Sequence, residues 1–268
     1  MPNQDPDAPV LLNIDAQGVA AIRLNRPAAS NGLDNDLLRR LHEIIMQCHG
    51  DKRVRAVLLT GAGKNFCAGG DVHTFLAKGE DLPYYIRQAT AHLQVAVSAL
   101  IHLNVPVLTA VQGYAAGGGG LGLVCCSDLI IAGENAKFLA GATRVGMAPD
   151  AGLSVTLPRI IGFRKAMEFL LRNQPIGAAE ALAMGLVNRV VPDAELAESA
   201  LAWAQELAAG APQAQAATKR LLWSGLGLTV DAAMPEESRT VAALSGTADS
   251  REGLAAVVEK RAPNFSGS

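Results

Sequence analysis

Runs of apolar residues along the chain come at two spacings, and the changes between them mark its elements. "VLLNI" (10–14) and "VAAIRL" (19–24) are short and flank Asp15-Ala16-Gln17-Gly18, which predicts a hairpin. Leu37, Leu41, Ile44, Ile45 and Cys48 then recur at helical spacing behind Asp34 or Asn35, either of which can cap the helix. "VRAVLLTG" (54–61) and "PVLTAVQG" (106–113) are apolar runs ending in glycine, as buried strands do, and "LIIAG" (129–133) is a third. "AGKNFCAGGD" (62–71) predicts a loop, 71–82 a mobile surface segment and 84–101 a helix. The glycines of "GYAAGGGGLG" (113–122) open another helix that ends near Ser127. From about residue 153 the pattern is helical, interrupted only by "GLVNRVVP" (185–192), and it closes with helices over roughly 194–209, 213–224, 230–244 and 248–261.

Strands alternating with helices predict an α/β fold around a largely parallel sheet. No repeat or low-complexity linker divides the chain. The reading is a core over 1–200 and a helical C-terminal region over 201–268, integrated in one domain. That tail has too few strands for a second sheet, so it packs on its own core or covers a neighbouring subunit. Hydrophobic residues make up 50% of the chain and charged ones 18%, enough to bury a substantial core. A formal net charge of -2 with scattered lysines and arginines argues against nucleic acid and against a polybasic membrane surface. Cys48, Cys67, Cys125 and Cys126 have no metal-ligand spacing and read as reduced thiols. The opening "MPNQDPDAPV" lacks the features of a signal peptide, and glycines, Gln112 and Asp128 break the apolar region 105–132, so no membrane span is expected. A soluble, cytoplasmic protein is the expectation.

Gly117, Gly119 and Gly122 match GxGxxG, and Glu134 lies near the end of the next strand, which keeps a dinucleotide-dependent oxidoreductase as one alternative. The helix allowed between Gly120 and Ser127 is only about two turns, however, and four consecutive glycines satisfy such a pattern easily. No GK[ST] follows, which excludes a P-loop. Close helix packing explains the glycines equally well. A second glycine turn, "FCAGGD" (66–71), also follows a buried strand, and two such turns can aim backbone N–H groups into one cleft as an oxyanion hole.

Together with these turns, "VGMAPDAG", "LPRIIGFRKAMEFLLRNQPIGAAEALAMGLVNRVVP" and "EKRAPNFSG" strongly resemble the enoyl-CoA hydratase/isomerase (crotonase) family over nearly the whole chain. The resemblance implies a spiral of ββα units, a helical C-terminal region used for a homotrimer or dimer of trimers, and an acyl-CoA thioester substrate. Coenzyme A then enters as part of the substrate, with no separate cofactor and no metal. The thioester oxygen would lie between the Ala68 N–H and a glycine of the second turn. One extra residue between Gly113 and Asp128 leaves that glycine open: counting from Asp128 selects Gly119, the preferred choice, and counting from Gly113 selects Gly118. Ala68, Gly69, Gly70, Asp71, Gly119 and Ala142 would line the acyl-CoA site, with further coenzyme A contacts from Arg26, Ala29 and Lys260.

Hydratases of the family carry two glutamates. Their positions here hold Leu121 or Gly122, and Ala142, none of which transfers protons. Asp150 in "APDAG" remains. Alone it reads as a turn or helix-cap residue, whereas the isomerase-like branches have an aspartate there facing the acyl chain. A dehalogenase branch uses a similarly placed aspartate as nucleophile, but with an aromatic residue in place of Ala142. The expected activity is a double-bond shift with Asp150 as proton shuttle. Its rivals are another crotonase reaction such as hydration, a catalytically silent acyl-CoA-binding relative, and the oxidoreductase. His42, His49, His73, His92 and His102 show no ligand spacing, and Ser224 lacks the first glycine of a nucleophile elbow.

Overall fold

A computed structural model describes residues 5–268. β1 (Val10–Ile14) and β2 (Val19–Leu24) pair antiparallel, and Asp15 closes their turn by accepting the Gln17 and Val19 amides. α1 (Asn35–Gly50) follows, capped by the Asp34 carboxylate on the Leu37 amide, and leads to β3 (Ala56–Gly61). α2 (Val72–Ala77) and α3 (Leu82–Ile101) precede β4 (Val107–Val111), β5 (Tyr114–Ala116), α4 (Gly117–Cys126), β6 (Leu129–Gly133) and β7 (Lys137–Leu139). The chain continues through α5 (Leu153–Ile161), α6 (Phe163–Arg172), β8 (Ile176–Gly177), α7 (Ala178–Ala183) and β9 (Arg189–Val191). It ends with α8 (Leu196–Ala208), α9 (Pro212–Gly225), α10 (Val230–Ser245) and α11 (Ala248–Glu259).

The main sheet has the order β1-β2-β3-β4-β6-β9 and is parallel beyond its first pair. Val57, Leu59, Val107 and Val111 face a large core that includes Leu37, Leu41 and Ile45 of α1 and Leu93 and Leu100 of α3. Leu58, Leu108 and Ile131 point to the other face, where Leu196, Ala200, Trp203 and Ala208 of α8 cover them. Burial on both faces explains why these strands read as continuous apolar runs. The boundary expected at residue 200 falls inside α8, whose packing on the sheet runs through Ala208.

α9 is tied to the sheet by one polar joint. The Lys219 ammonium lies 2.7 Å from Asp128 and donates to the carbonyls of Leu100 and Val105, while Asp128 also accepts the Trp223 indole N–H and the Val107 amide. These groups precede β4 and β6, so the C-terminal helices attach at the amino-terminal ends of the parallel strands.

Three expectations change. A second sheet exists, β5-β7-β8, and its strands are too short to show alternation in sequence. The glycine run does open a helix, but that helix begins at Gly117 and is longer than the two turns counted from Gly120, because its first turn packs on the 69–70 backbone rather than relying on helix propensity. Residues 71–82 form α2 and a 3-10 turn rather than a loose segment: Asp71 caps α2 through the Thr74 amide, and Phe75 meets Tyr85 edge-on at 6.0 Å.

Candidate active site

β3 ends at Gly61, and the loop beyond it is held by a residue on another loop. Asn31 is fully buried, with φ +55, and its amide donates to the carbonyls of Ala62, Asn65 and Phe66 at 2.8–3.0 Å. The next residues are hydrogen-bonded in turn. Phe66 N–H donates to Gln112, Cys67 N–H to Tyr114, and Ala68 N–H to the Ser30 carbonyl at 3.0 Å. The Leu33 and Asp71 amides then bond across the loop to Gly69 and Leu33 carbonyls. The Ala68 amide expected to bind the thioester is therefore already committed, and its direction is fixed by the Ser30 bond. Within this ladder the Gly70 N–H has no partner among the described residues, so it is the amide free to donate.

Gly70 lies beside the start of α4. Gly69 and Gly117, both at positive φ, press together so closely that a Cβ on Gly69 would stand 3.0 Å from the Gly117 Cα. A Cβ on Gly117 would lie 3.7 Å from the Gly70 nitrogen. The first-turn N–H groups of a ten-residue helix have no intrahelical acceptor and carry the positive end of its dipole. The two candidate glycines face different ways: a Cβ on Gly118 would overlap Oδ1 of Asp150, whereas one on Gly119 would overlap the Leu33 side chain. Gly118 is thus the member that meets the acid.

Asp150 sits in a turn where Ala151 (φ +52) and Gly152 (φ +78) are both left-handed and Leu153 N–H bonds back to the Asp150 carbonyl. The helix-cap expectation for its carboxylate fails, because Gly152 caps α5 with no side-chain bond. Desolvation raises the Asp150 pKa above its usual value, against a smaller lowering by its own backbone, and no charged side chain contributes. Ala142 opens a 3-10 turn next to Gly141, which itself abuts Gly117. Buried Asn173 holds that turn by accepting the Gly141 amide at 2.6 Å. Leu121 is buried in the core and Gly122 meets Ala151, so α4 carries no acid toward the site.

The expected coenzyme A contacts separate. The Arg26 guanidinium is occupied by Asp34 at 3.0 Å, Asp71 at 3.2 Å and the Gly32 carbonyl. It clamps the caps of α1 and α2 instead of offering a free cation. For Asp71, desolvation pushes upward but Thr74 and Arg26 prevail, and its pKa lies below the usual value. Ala29 closes a 3-10 turn and accepts the Gly32 amide. Lys260 is exposed at the end of α11, in the group attached at the opposite ends of the strands from Gly70 and Gly118.

Other chemistry is accounted for elsewhere. Gly119 and Gly122, read as part of a dinucleotide pattern, abut Leu33 and Ala151, leaving no room for a pyrophosphate against them. A cavity of about 620 Å³ between α5 and α9 lies at the far end of α4; of its charged groups Asp128 and Lys219 are paired together, and Arg159 also lines it. His49 and His102 are exposed and bond backbone carbonyls, and among the described residues no three His, Cys, Asp or Glu side chains gather as metal ligands. No described helix is long and apolar enough to cross a membrane. Sequence reasoning missed Asn31 and Asn173, and it placed Gly70 among the lining residues without singling out its amide. Asparagine favours left-handed backbone, which is the one signal that could have marked Asn31 and Asn173.

Two glycine turns thus press together at the start of α4 in this mixed α/β fold, and the second of them meets one carboxylate, Asp150. The family model described as enoyl-CoA hydratase/isomerase matches residues 15–268. The chain is 38% identical over 264 residues to an (E)-benzylidenesuccinyl-CoA hydratase from Thauera aromatica, covering 97% of this chain and 99% of that one. It is 34% identical over 239 residues to 4-chlorobenzoyl coenzyme A dehalogenase-1 from an Arthrobacter species, covering 89% of this chain and 86% of that one. A crystal structure of an enoyl-CoA hydratase from Bacillus anthracis superposes with a TM-score of 0.91 at 32% identity, covering 97% and 100% of the two chains. The protein belongs to the enoyl-CoA hydratase/isomerase family of the crotonase superfamily and is an acyl-CoA enzyme of that type.

Proposed function

We propose that this enzyme moves a carbon–carbon double bond within an enoyl-CoA thioester, converting a 3-enoyl to a conjugated 2-enoyl chain. The observation that carries the reading is the Asp150 carboxylate lying against Gly118 at the amino end of α4, with no second acid on that helix. The thioester oxygen accepts from the Gly70 and Gly118 amides, which stabilise negative charge as it develops. Asp150, as carboxylate, removes a proton from the α-carbon. The electron pair spreads over the dienolate, and the same proton or its exchange partner returns from Asp150 to the γ-carbon. The step is redox-neutral and calls for no group beyond the coenzyme A of the substrate. Desolvation of Asp150 makes it a stronger base for this work.

The test is turnover of 3-enoyl-CoA in D₂O, read by absorbance of the conjugated thioester and by deuterium in the product. Asp150→Asn is expected to cut kcat by about 10²–10⁴-fold, the usual worth of a positioned acid–base group. Full activity in D150N sinks the assignment of the base. Hydration is the second reading, favoured by the likeness to the Thauera protein, a hydratase by name. Loss of absorbance from a 2-enoyl-CoA would select it, with Asp150 as its single acid. For assembly we propose a homotrimer, supported by the exposed apolar side chains of the C-terminal helices. Lys260 would then reach a coenzyme A only across a subunit boundary.

A further inference from the structure

Gly118 and Gly122 stand one turn apart on the same face of α4. A Cβ on the first would overlap the Asp150 carboxylate, and a Cβ on the second would overlap the Ala151 Cβ. The two glycines therefore form a groove, and consecutive residues of one loop fill it. Ala151 occupies a left-handed conformation at φ +52 that glycine would adopt with less strain. Its methyl group is the part glycine lacks, and that methyl is what meets Gly122.

We propose that the Gly122–Ala151 contact is the seat that fixes the Asp150 carboxylate over Gly118, so that Ala151 is a positioning residue and Gly122 its socket. The inference rests on the reading of Asp150 as the proton shuttle, and it adds the part of the chain that aims it. A displaced loop would carry the carboxylate away from the substrate carbons without disturbing the backbone amides.

Three variants test the seat. Ala151→Gly removes the methyl without creating a clash. Gly122→Ala adds a methyl where one already stands. G122A/A151G moves the methyl from loop to helix and refills the same space. The expected result is a fall in kcat of about tenfold or more in each single variant, with KM little changed, because misplacement of about 1 Å is that costly. The double variant returns toward wild type and exceeds both singles. In parallel, the ¹³C carboxyl signal of Asp150, assigned by its absence in D150N, shifts in the singles and returns in the double.

Wild-type kcat and an unmoved Asp150 signal in A151G overturn the proposal. So does a folded double variant that recovers neither kcat nor the signal. If G122A fails to fold, A151G and the double variant still decide. A fully active D150N removes the proposed reaction while the carboxyl signal still judges the seat, so the two failures are distinct.

Discussion

Burial raises the energy of a carboxylate, and at Asp150 only its own backbone lowers the pKa in return. A carboxyl with a raised folded value binds its proton more tightly in the folded chain, so ionising it costs stability. That cost is absent well below the ordinary value of 3.8 and complete above the raised one. Asp150→Asn is therefore expected to raise Tm at pH 7, with the gain fading as pH falls through the raised value and gone well below 3.8, measured by thermal scans across pH. The same sign applies to activity: kcat/KM rises with pH as the free enzyme's Asp150 ionises. Asp150 itself was legible in the sequence as the remaining acid near the turn. Which amide of the 66–71 turn is left without a partner was not. Ala68 and Gly70 differ by two residues, and the choice depends on the Ser30 carbonyl that accepts the Ala68 N–H, on a loop with its own left-handed pair at Ser30 and Asn31.

At the scale of elements, α9 depends on Lys219, whose side chain is 7% exposed. Desolvation lowers its pKa below the usual value although Asp128 works against that shift. Lys219→Ala would leave the Asp128 carboxylate without its cation. It is expected to cost about 3–5 kcal/mol in urea unfolding, since breaking a buried pair strands one charge. The hairpin, β3, β4, β6 and the late helices were readable because each is long enough to show its pattern, whereas the three-residue β9 showed only as an interruption of the helices. β5, β7 and β8 have two or three residues and leave no period to read. α4 was readable as a helix but not in its extent. Glycine has poor helix propensity, and what makes its first turn helical is the close approach of the 69–70 backbone, a contact distant in sequence.

Across the whole molecule, the sheet separates two kinds of surface. The glycine turns gather at the carboxyl ends of its strands, and the C-terminal helices attach at the other. On α11, Leu254, Val257 and Val258 are 67%, 78% and 82% exposed and lie within one turn of each other, an apolar stripe with no cover in the single chain. In the proposed trimer a neighbour covers such positions. Val257→Glu is expected to shift the molecule toward a monomer in light scattering after size exclusion, with the fold kept by circular dichroism. An unchanged assembly would remove α11 from the proposed interface.

The four cysteines give the folded chain a property that concerns its motions. All are buried, and desolvation pushes the thiols up, Cys48 to about 11 and Cys67 and Cys126 to about 12, with Cys125 raised as well. A thiol so placed reacts with an alkylating reagent only after the structure opens around it. Cys67 lies on the loop that carries Gly70, while Cys48 lies in α1 and Cys125 and Cys126 end α4. Site-resolved alkylation rates thus act as a clock for local opening. If Cys67 is modified faster than the others, the 62–71 loop breathes on its own; equal rates mean that this loop opens only when the whole molecule does.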